Sequence, residues 1–206
     1  MNSRGNATFY SIIGKIADLT ILGLLWMLTS VLVISSGASS TALYYAAVKS
    51  VRFSEGKLVQ GYFHSLTRNL ISGCLGTLIY LLLGSVLIII YKTQQETVTL
   101  ILISISTVII FSSALYYFPI LSRFTLNAYQ CFLVSLFMIF RHFPQTLLLL
   151  TVFGLCCLVV ALLPFLLPVM AGCYAYYSSF LLEKLFLEYM SEDEQDQDHW
   201  FMQLDR

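Results

Sequence analysis

Residues 70–91, LISGCLGTLIYLLLGSVLIIIY, form an apolar run without a charged side chain. An α-helix rises about 1.5 Å per residue, so this run covers about 33 Å, and the hydrocarbon core of a bilayer is roughly 30 Å thick. The run therefore predicts a membrane-spanning helix. Because an uncharged apolar run of this length indicates a transmembrane segment, it decides the fold class as all-α and integral to a membrane.

The composition of the whole chain supports this fold class. Of its 206 residues, 58% are hydrophobic and only 11% are charged, and the mean hydropathy is +0.82. Soluble domains carry about 25% charged residues, and they cannot bury this much apolar surface. We therefore expect a polytopic helical membrane protein in which residues 1–190 form a single integral membrane domain. The first apolar run is too long for a cleaved signal peptide, so we expect it to stay as an anchor.

Four further apolar runs are long enough to cross the bilayer. They are Ile16–Ser35, Val98–Leu121, Thr146–Leu163 and Val169–Leu187. Only a short loop separates residues 70–91 from Val98–Leu121, so these two runs predict a tight helical hairpin. Within residues 70–91, Ser72, Gly76 and Gly84 recur on one helix face, which predicts a surface for the close approach of another helix.

Two apolar segments, Ala38–Val51 and Phe124–Phe140, are harder to assign. The positions of Lys and Arg distinguish two possible membrane topologies. Cations near helix ends collect on the cytoplasmic side of a membrane. If Ala38–Val51 crosses or dips into the bilayer, all of the eleven Lys and Arg residues except Lys92 lie on the cytoplasmic side. If this segment instead lies flat on the surface, the cations divide almost evenly between the two sides.

The first arrangement is favoured, and it predicts about six membrane-inserted segments in the cell membrane, with both termini cytoplasmic. Phe124–Phe140 then becomes an interfacial helix. As a helix, residues 38–52 span only about 22 Å, which is short of the hydrocarbon core, so this segment is either a short crossing or re-entrant. Both forms need cover from other helices, and the small residues Gly37, Ser39 and Thr41 suit close contact.

The formal net charge is zero, but the charges are unevenly distributed. Residues 1–182 hold nine Lys and Arg against three acids, whereas residues 183–206 hold eight acids against two cations, with Glu183 as the first of these C-terminal acids. We expect residues 191–206 to form an acidic cytoplasmic tail in solvent. We expect no nucleic-acid partner.

Asp18 is a candidate functional residue, because an acid inside a predicted span is costly in lipid and often marks a pathway for ions or protons. Lys15 precedes it by one helical turn. An ion pair between the two side chains, or solvation at the level of the lipid headgroups, is therefore the simpler explanation of Asp18.

Two tyrosines and two arginines are further candidates. Tyr44 and Tyr45 could stack on a sugar or a lipid, although the aromatic belt of membrane proteins explains them more simply. Arg123 and Arg141 bracket the predicted interfacial helix, where they could bind lipid phosphates or acidic groups of a partner. Anchoring at the cytoplasmic surface is the simpler explanation for both arginines.

The sequence contains none of the motifs that would indicate catalysis. It has no Walker motif, no Gly-rich dinucleotide loop, no His-Glu-x-x-His and no Gly-x-Ser-x-Gly. Its five cysteines and three histidines lack the spacing of metal ligands. We therefore predict no enzyme activity, no cofactor and no metal, and an enzyme that modifies lipids or the envelope is the least favoured function.

The residues from Ala17 to Arg52 resemble the signature of the YesL family of bacterial integral membrane proteins. The resemblance rests on Leu25-Trp26 and on Gly-Ala-Ser-x-Thr-Ala-Leu-Tyr-Tyr at residues 37–45; Phe-Pro-Ile-Leu-Ser-Arg-Phe at 118–124 and His-Phe-Pro-Gln-Thr at 142–146 support it. It implies a Gram-positive type of bacterium and a plasma-membrane location. Members of this family tend to be encoded beside genes for carbohydrate import and sensor kinases, and the family has no established biochemical activity.

Two functions remain as hypotheses. The preferred one is a non-enzymatic accessory or regulator of carbohydrate uptake or its sensing, which binds a sugar importer or a sensor kinase through its helices and the basic loop Lys49–Arg68. The alternative is a small secondary transporter or channel, in which Asp18 and residues Ser39–Thr41 lie near a central pathway. The lipid bilayer is the expected surrounding in both, and a homo-oligomer is compatible with either.

Overall fold

The structure is a computed structural model that describes residues 3–54, 56–93, 96–124 and 126–189, with side chains from residue 13 onward. These residues contain no β-strand, which confirms an all-α fold for the described part of the chain. Its helices are α1 Ser3–Thr29, α2 Ser36–Ala46, α3 Leu58–Arg68, α4 Leu70–Thr93, α5 Thr97–Arg123, α6 Ala128–Arg141, α7 Phe143–Leu162 and α8 Leu167–Leu187. The 3-10 turns Val33–Ser35 and Pro164–Leu166 precede α2 and α8, and a π-helical turn, Ala47–Arg52, follows α2.

Four helices in the described part are long and apolar enough to cross a membrane, namely α4, α5, α7, and α8 together with the turn before it. They correspond to four of the predicted spans. Their surfaces carry apolar side chains that are more than half exposed, such as Ile71, Ile89 and Leu158. Lipid is the surrounding that such surfaces fit, because exposure of this much apolar area to water is unfavourable.

The chain is thus a multi-pass membrane protein, but the predicted total of six inserted segments is not confirmed. α2 has only 11 residues, and the apolar part of α1 carries Lys15 and Asp18. Length and composition alone do not decide whether these two helices cross the bilayer.

α2 is the short helix that the sequence predicts between residues 38 and 51. Eight of its 11 residues are buried, and it packs against α1, α3, α4, α5 and α8. Other helices therefore cover α2 on most sides. This is the cover that a short helix needs at membrane depth.

α2 and α4 cross with their backbones almost in contact at Gly37 and Gly73. A Cβ atom added to Gly73 would lie 2.6 Å from both the backbone nitrogen and the Cα of Ala38, which is too close for any side chain. The N–H of Gly37 donates a hydrogen bond to Thr77 Oγ1 at 3.0 Å. Glycine at both positions permits this approach of the two backbones.

The predicted face of small residues on α4 is correct for Ser72 and Gly76 and wrong for Gly84. Gly76 lies against the ring of Tyr117, which leaves no room for a Cβ atom. The Tyr117 hydroxyl donates a hydrogen bond to the carbonyl oxygen of Ser72 at 3.1 Å. No neighbouring atom lies within 4 Å of a Cβ placed on Gly84, so close packing ends before that residue.

The basic loop predicted at Lys49–Arg68 contains a helix, α3, which packs against α2. Ser54 and Gly56 have positive φ values of 58° and 77° in the turn that leads into it. Tyr62 is buried, and its hydroxyl shares a hydrogen bond of 2.6 Å with the hydroxyl of Thr29 at the end of α1. Burial raises the pKa of Tyr62, so this phenol stays neutral near pH 7.

α6 is the predicted interfacial helix, and it begins at Ala128 rather than at Phe124. The N–H of Asn127 donates to Gln130 Oε1 at 3.1 Å, which accounts for two polar residues in an otherwise apolar segment. One face of α6 is buried at Cys131, Ser135, Met138 and Ile139, and the other exposes Tyr129, Leu133, Phe137 and Phe140. This amphipathic pattern suits a helix in the membrane interface.

The predicted acidic tail, residues 191–206, lies outside the described residues. Glu183 does not belong with the solvated acids of that tail, because it lies in α8 and its side chain is fully buried. The five cysteines are free thiols, of which Cys131 is buried and Cys157 is exposed.

Candidate functional site

A group of polar and charged side chains lies buried where α2, α5 and α8 meet. The buried members are Tyr44, Arg123 and Glu183, and Arg52, on the π-helical turn after α2, joins them as a partly buried side chain. We call these four side chains the buried ionic cluster. Arg123 and Glu183 are an ion pair, and both side chains are 0% exposed. Arg and Glu are almost never fully buried unless they are paired, so each side chain depends on the other.

One carboxylate oxygen of Glu183 accepts three hydrogen bonds. Nε and Nη2 of Arg123 each donate to Oε1 at 2.9 Å, and the Tyr44 hydroxyl donates to the same oxygen at 2.8 Å. The other oxygen, Oε2, is buried and has no hydrogen-bond partner within the described part of the chain. The carboxylate is therefore bound asymmetrically, with one oxygen still able to accept a hydrogen bond.

Arg52 adds a second positive charge at the edge of the cluster. Its Nη1 donates to the carbonyl oxygen of Ser179 at 2.6 Å, and its guanidinium carbon lies 4.2 Å from the ring centroid of Phe180. Arg52 is the last residue of the π-helical turn that follows α2, and like Tyr44 it bonds to a residue of α8. Arg52 thus lies near enough to Glu183 for their charges to interact, although its direct contacts are with Ser179 and Phe180.

A cavity of about 590 Å³ lies beside the cluster, between α1, α2, α5, α7 and α8. We call it the apolar cavity; its walls include Trp26, Leu43, Phe111, Phe118, Phe153 and Met170. Tyr44 borders this space and also bonds Glu183, so it belongs to both the cavity and the cluster. The volume and the mostly apolar walls are typical of a ligand-binding pocket, for which roughly 300–1,000 Å³ is usual.

Few polar groups border the apolar cavity, and most of these already have partners. Ser40 Oγ accepts a hydrogen bond from Trp26 Nε1 at 3.1 Å, and Ser178 Oγ donates to the carbonyl oxygen of Ala175 at 3.0 Å. The Tyr174 hydroxyl is buried and without a hydrogen-bond partner among the described residues. The cavity therefore favours an apolar group with few hydrogen-bonding atoms.

Two of the predicted site residues, Tyr44 and Arg123, are brought together by their shared partner Glu183. Asp18 is partly exposed on α1, and it lies neither in the cluster nor in the cavity wall. A functional role of Asp18 stays a prediction.

Gly37, Ser39 and Thr41 are buried in α2, but they do not line the apolar cavity. The hydroxyls of Ser39 and Thr41 donate to the carbonyl oxygens of Ser35 and Gly37 in the preceding turn, each at 2.9 Å. These side chains satisfy their hydrogen bonds within the helix and leave its surface free to pack closely.

Tyr45 and Arg141 lie apart from the buried ionic cluster. The Tyr45 hydroxyl accepts a hydrogen bond from Lys49 Nζ at 3.1 Å. Arg141 is exposed at the end of α6, and its guanidinium carbon lies 5.9 Å from the ring centroid of Tyr189. Their roles in binding lipid or a partner stay predictions.

Sequence reasoning missed Glu183 and underrated Arg52. The charge distribution groups Glu183 with the C-terminal acids, and it places Arg52 among the cytoplasmic cations of the basic loop Lys49–Arg68. A local signal for Glu183 exists, because LLEKLFL at residues 181–187 places it inside the last apolar run. An acid within such a run is a functional candidate for the same reason as Asp18.

Comparison with known protein families gives a match over the first part of the chain. Residues 19–91 match the family model described as "Protein of unknown function, DUF624". The matched region runs from α1 through α2, α3 and most of α4, so it contains Tyr44 and Arg52 but neither Arg123 nor Glu183. No curated protein and no solved structure matched the chain.

Proposed function

We propose that this chain, whose residues 19–91 match the DUF624 family model and whose residues 17–52 resemble the YesL family, is a non-enzymatic accessory or regulator of carbohydrate uptake or its sensing. The proposed partner is a sugar importer or a sensor kinase in the same membrane. With six inserted segments and both termini cytoplasmic, the partner would meet the basic segment of the chain on the cytoplasmic side.

The surface beside α3 is the observation that carries this proposal. A groove of about 600 Å³, the basic groove, lies between the end of α2 and α3, and its lining includes Lys49, Lys57 and His64. Phe63 also lines this groove and is 42% exposed, and Val59, on the same helix, is 47% exposed. Basic side chains beside apolar ones suit the acidic surface of a partner protein, since charge complementarity gives specificity and apolar contact gives affinity.

Site-specific crosslinking in the native membrane tests the proposal. A photoreactive amino acid at Phe63 should capture an importer subunit or a sensor kinase, whereas the same group at Ile89, which is 63% exposed on α4, should not. Lys49→Glu combined with Lys57→Glu should reduce the capture. If Phe63 and Ile89 give the same products, or if neither an importer subunit nor a kinase is among them, the proposal is wrong.

A small secondary transporter or channel is the alternative function, and the buried ionic cluster favours it. Ionisable groups within membrane helices often mark the pathway of a proton, an ion or a substrate. The pathway would then pass Glu183 rather than Asp18, since Glu183 is the acid beside the apolar cavity. Substrate-dependent flux into reconstituted vesicles, lost in Glu183→Gln and kept in Asp18→Asn, would support this function, and the absence of any flux would rule it out.

A further inference from the structure

We infer that the apolar cavity binds one acyl chain of a membrane phospholipid. The site is separate from the basic groove, so this inference stands apart from the proposed function. The occupant is a hydrocarbon chain, and its source is the bilayer around the helices.

The position and the walls of the cavity select a hydrocarbon. Three of the helices around it, α5, α7 and α8, are among those long and apolar enough to cross a membrane. Apolar cavities of this kind exclude water and take up apolar molecules instead. At this depth the medium that can supply such a molecule is the acyl chains of the bilayer.

The cavity is open toward the lipid-facing surface. Phe111 on α5, and Cys157 and Ala161 on α7, line the cavity and are also exposed on the outside of the protein. α5 and α7 approach each other at the rings of Phe111 and Phe153, which meet edge to face with their centroids 5.0 Å apart. A flexible chain can therefore enter from the bilayer without leaving an apolar environment.

A sugar is a poor occupant of this space. Each sugar hydroxyl that loses water needs a hydrogen bond in return, and an unpaired one is costly. The polar groups at the wall are largely engaged: Ser40 with Trp26, Ser178 with Ala175, and Tyr44 with Glu183. A hydrocarbon chain makes no such demand, so it matches the wall better.

A cavity-filling substitution tests the inference on the full chain. Ala114 lines the cavity, and Ala114→Phe should occupy the space that the acyl chain would take. Ala17 is exposed on α1 and does not line the cavity, so Ala17→Phe is a matched control. Each protein is purified in mild detergent, and retained lipid is measured by native mass spectrometry. We expect the wild type and Ala17→Phe to retain a phospholipid and Ala114→Phe to retain about tenfold less, which corresponds to a loss of one power of ten in affinity.

A second measurement keeps the wild-type cavity and covers the case in which Ala114→Phe does not fold. Because the chain has two tryptophans, Trp200→Phe leaves Trp26, which lines the cavity, as the sole source of tryptophan fluorescence. In bilayers that contain phospholipids with brominated acyl chains, a specific site should give quenching that saturates at a low fraction of brominated lipid.

Quenching that rises only in proportion to the brominated fraction would overturn the inference, because it reports lipids that surround the protein without a specific site. Equal retention of lipid by wild type, Ala17→Phe and Ala114→Phe would overturn it as well. Retention of a free fatty acid in place of a phospholipid, read directly from the bound mass, would overturn the assignment of the source.

Discussion

Arg123 donates two hydrogen bonds to a single oxygen of Glu183, each 2.9 Å long, with both side chains fully buried. The pair joins the last residue of α5 to the last turns of α8. Taking two charges out of water is expensive, and their mutual attraction offsets this cost. Loss of either partner should therefore destabilise the folded protein. The integrity of this end of the helical bundle therefore depends on two residues that are 60 positions apart.

Glu183→Gln should destabilise the protein strongly, because it removes the negative charge that pairs with the buried Arg123 guanidinium. Removing one partner of a buried ion pair typically costs about 3–5 kcal/mol. The midpoint of thermal unfolding in detergent measures the loss. Glu188→Gln, at an exposed position just after α8, is the matched control and should leave the midpoint unchanged. Equal midpoints for the two variants would contradict this prediction.

Removal of both charges should harm the protein less than removal of one. The double variant Arg123→Met with Glu183→Met replaces the pair by apolar side chains, and such replacements are often close to neutral. We therefore expect the double variant to unfold at a higher temperature than Glu183→Gln. If the double variant loses as much stability as Arg123→Met and Glu183→Met lose together, the pair does not act as a unit.

Tyr44→Phe should cost less than Glu183→Gln, since it removes one hydrogen bond and leaves the ion pair in place. A hydrogen bond to a charged group contributes about 1.5–3 kcal/mol. Thermal unfolding checks the size of the effect. Tyr177→Phe, at a tyrosine that is 53% exposed, removes the same hydroxyl without a comparable loss. A Tyr44→Phe protein as stable as the Tyr177→Phe protein would show that the bond to Glu183 contributes little.

Gly73→Ala should disrupt the crossing of α2 and α4, because the added Cβ would meet the backbone of Ala38 at 2.6 Å. Overpacking usually costs about 1–3 kcal/mol, and backbone atoms cannot move aside as a side chain can. Gly84→Ala on the same helix meets no atom within 4 Å and should be neutral or slightly stabilising, since alanine favours a helix. The yield of folded protein and its thermal unfolding distinguish the two variants.

The topology can be tested with single cysteines in a background that lacks the five native ones. Lys92→Cys at the end of α4 and His64→Cys on α3 are both at exposed positions. A membrane-impermeant thiol reagent should label Lys92→Cys in intact cells and His64→Cys only after the membrane is opened. The reverse pattern would place the termini outside and move the basic groove away from the cytoplasm.

The long helices are predictable from the sequence because their signal is local. The run at residues 70–91 became α4, Leu70–Thr93, since an uncharged apolar stretch of that length has one stable form in lipid. The sequence predicts the start of α6 four residues too early, because the apolar composition begins upstream of the Asn127 cap. Composition finds helices more reliably than it finds their ends.

The buried ionic cluster could not be predicted in the same way. Tyr44 and Glu183 are 139 residues apart in the chain, and no periodic pattern connects them. Arg123 was identified as a cation at a helix end, which is correct, but its partner depends on how α5 and α8 pack. The apolar cavity is still harder to predict, because it lies between five helices and no pattern in the sequence of any one helix indicates it.

The contact between Gly37 and Gly73 has a consequence for biogenesis. Synthesis proceeds from the N-terminus, so α2 leaves the ribosome before the helix against which it packs. Its sequence, SGASSTALYYA, is too short and too polar to settle among lipids alone. α2 can therefore complete its packing only after α4 has been made, and in a chain that ends at residue 69 the faces of α2 that pack against α4, α5 and α8 would be open to the chaperones and proteases of the membrane.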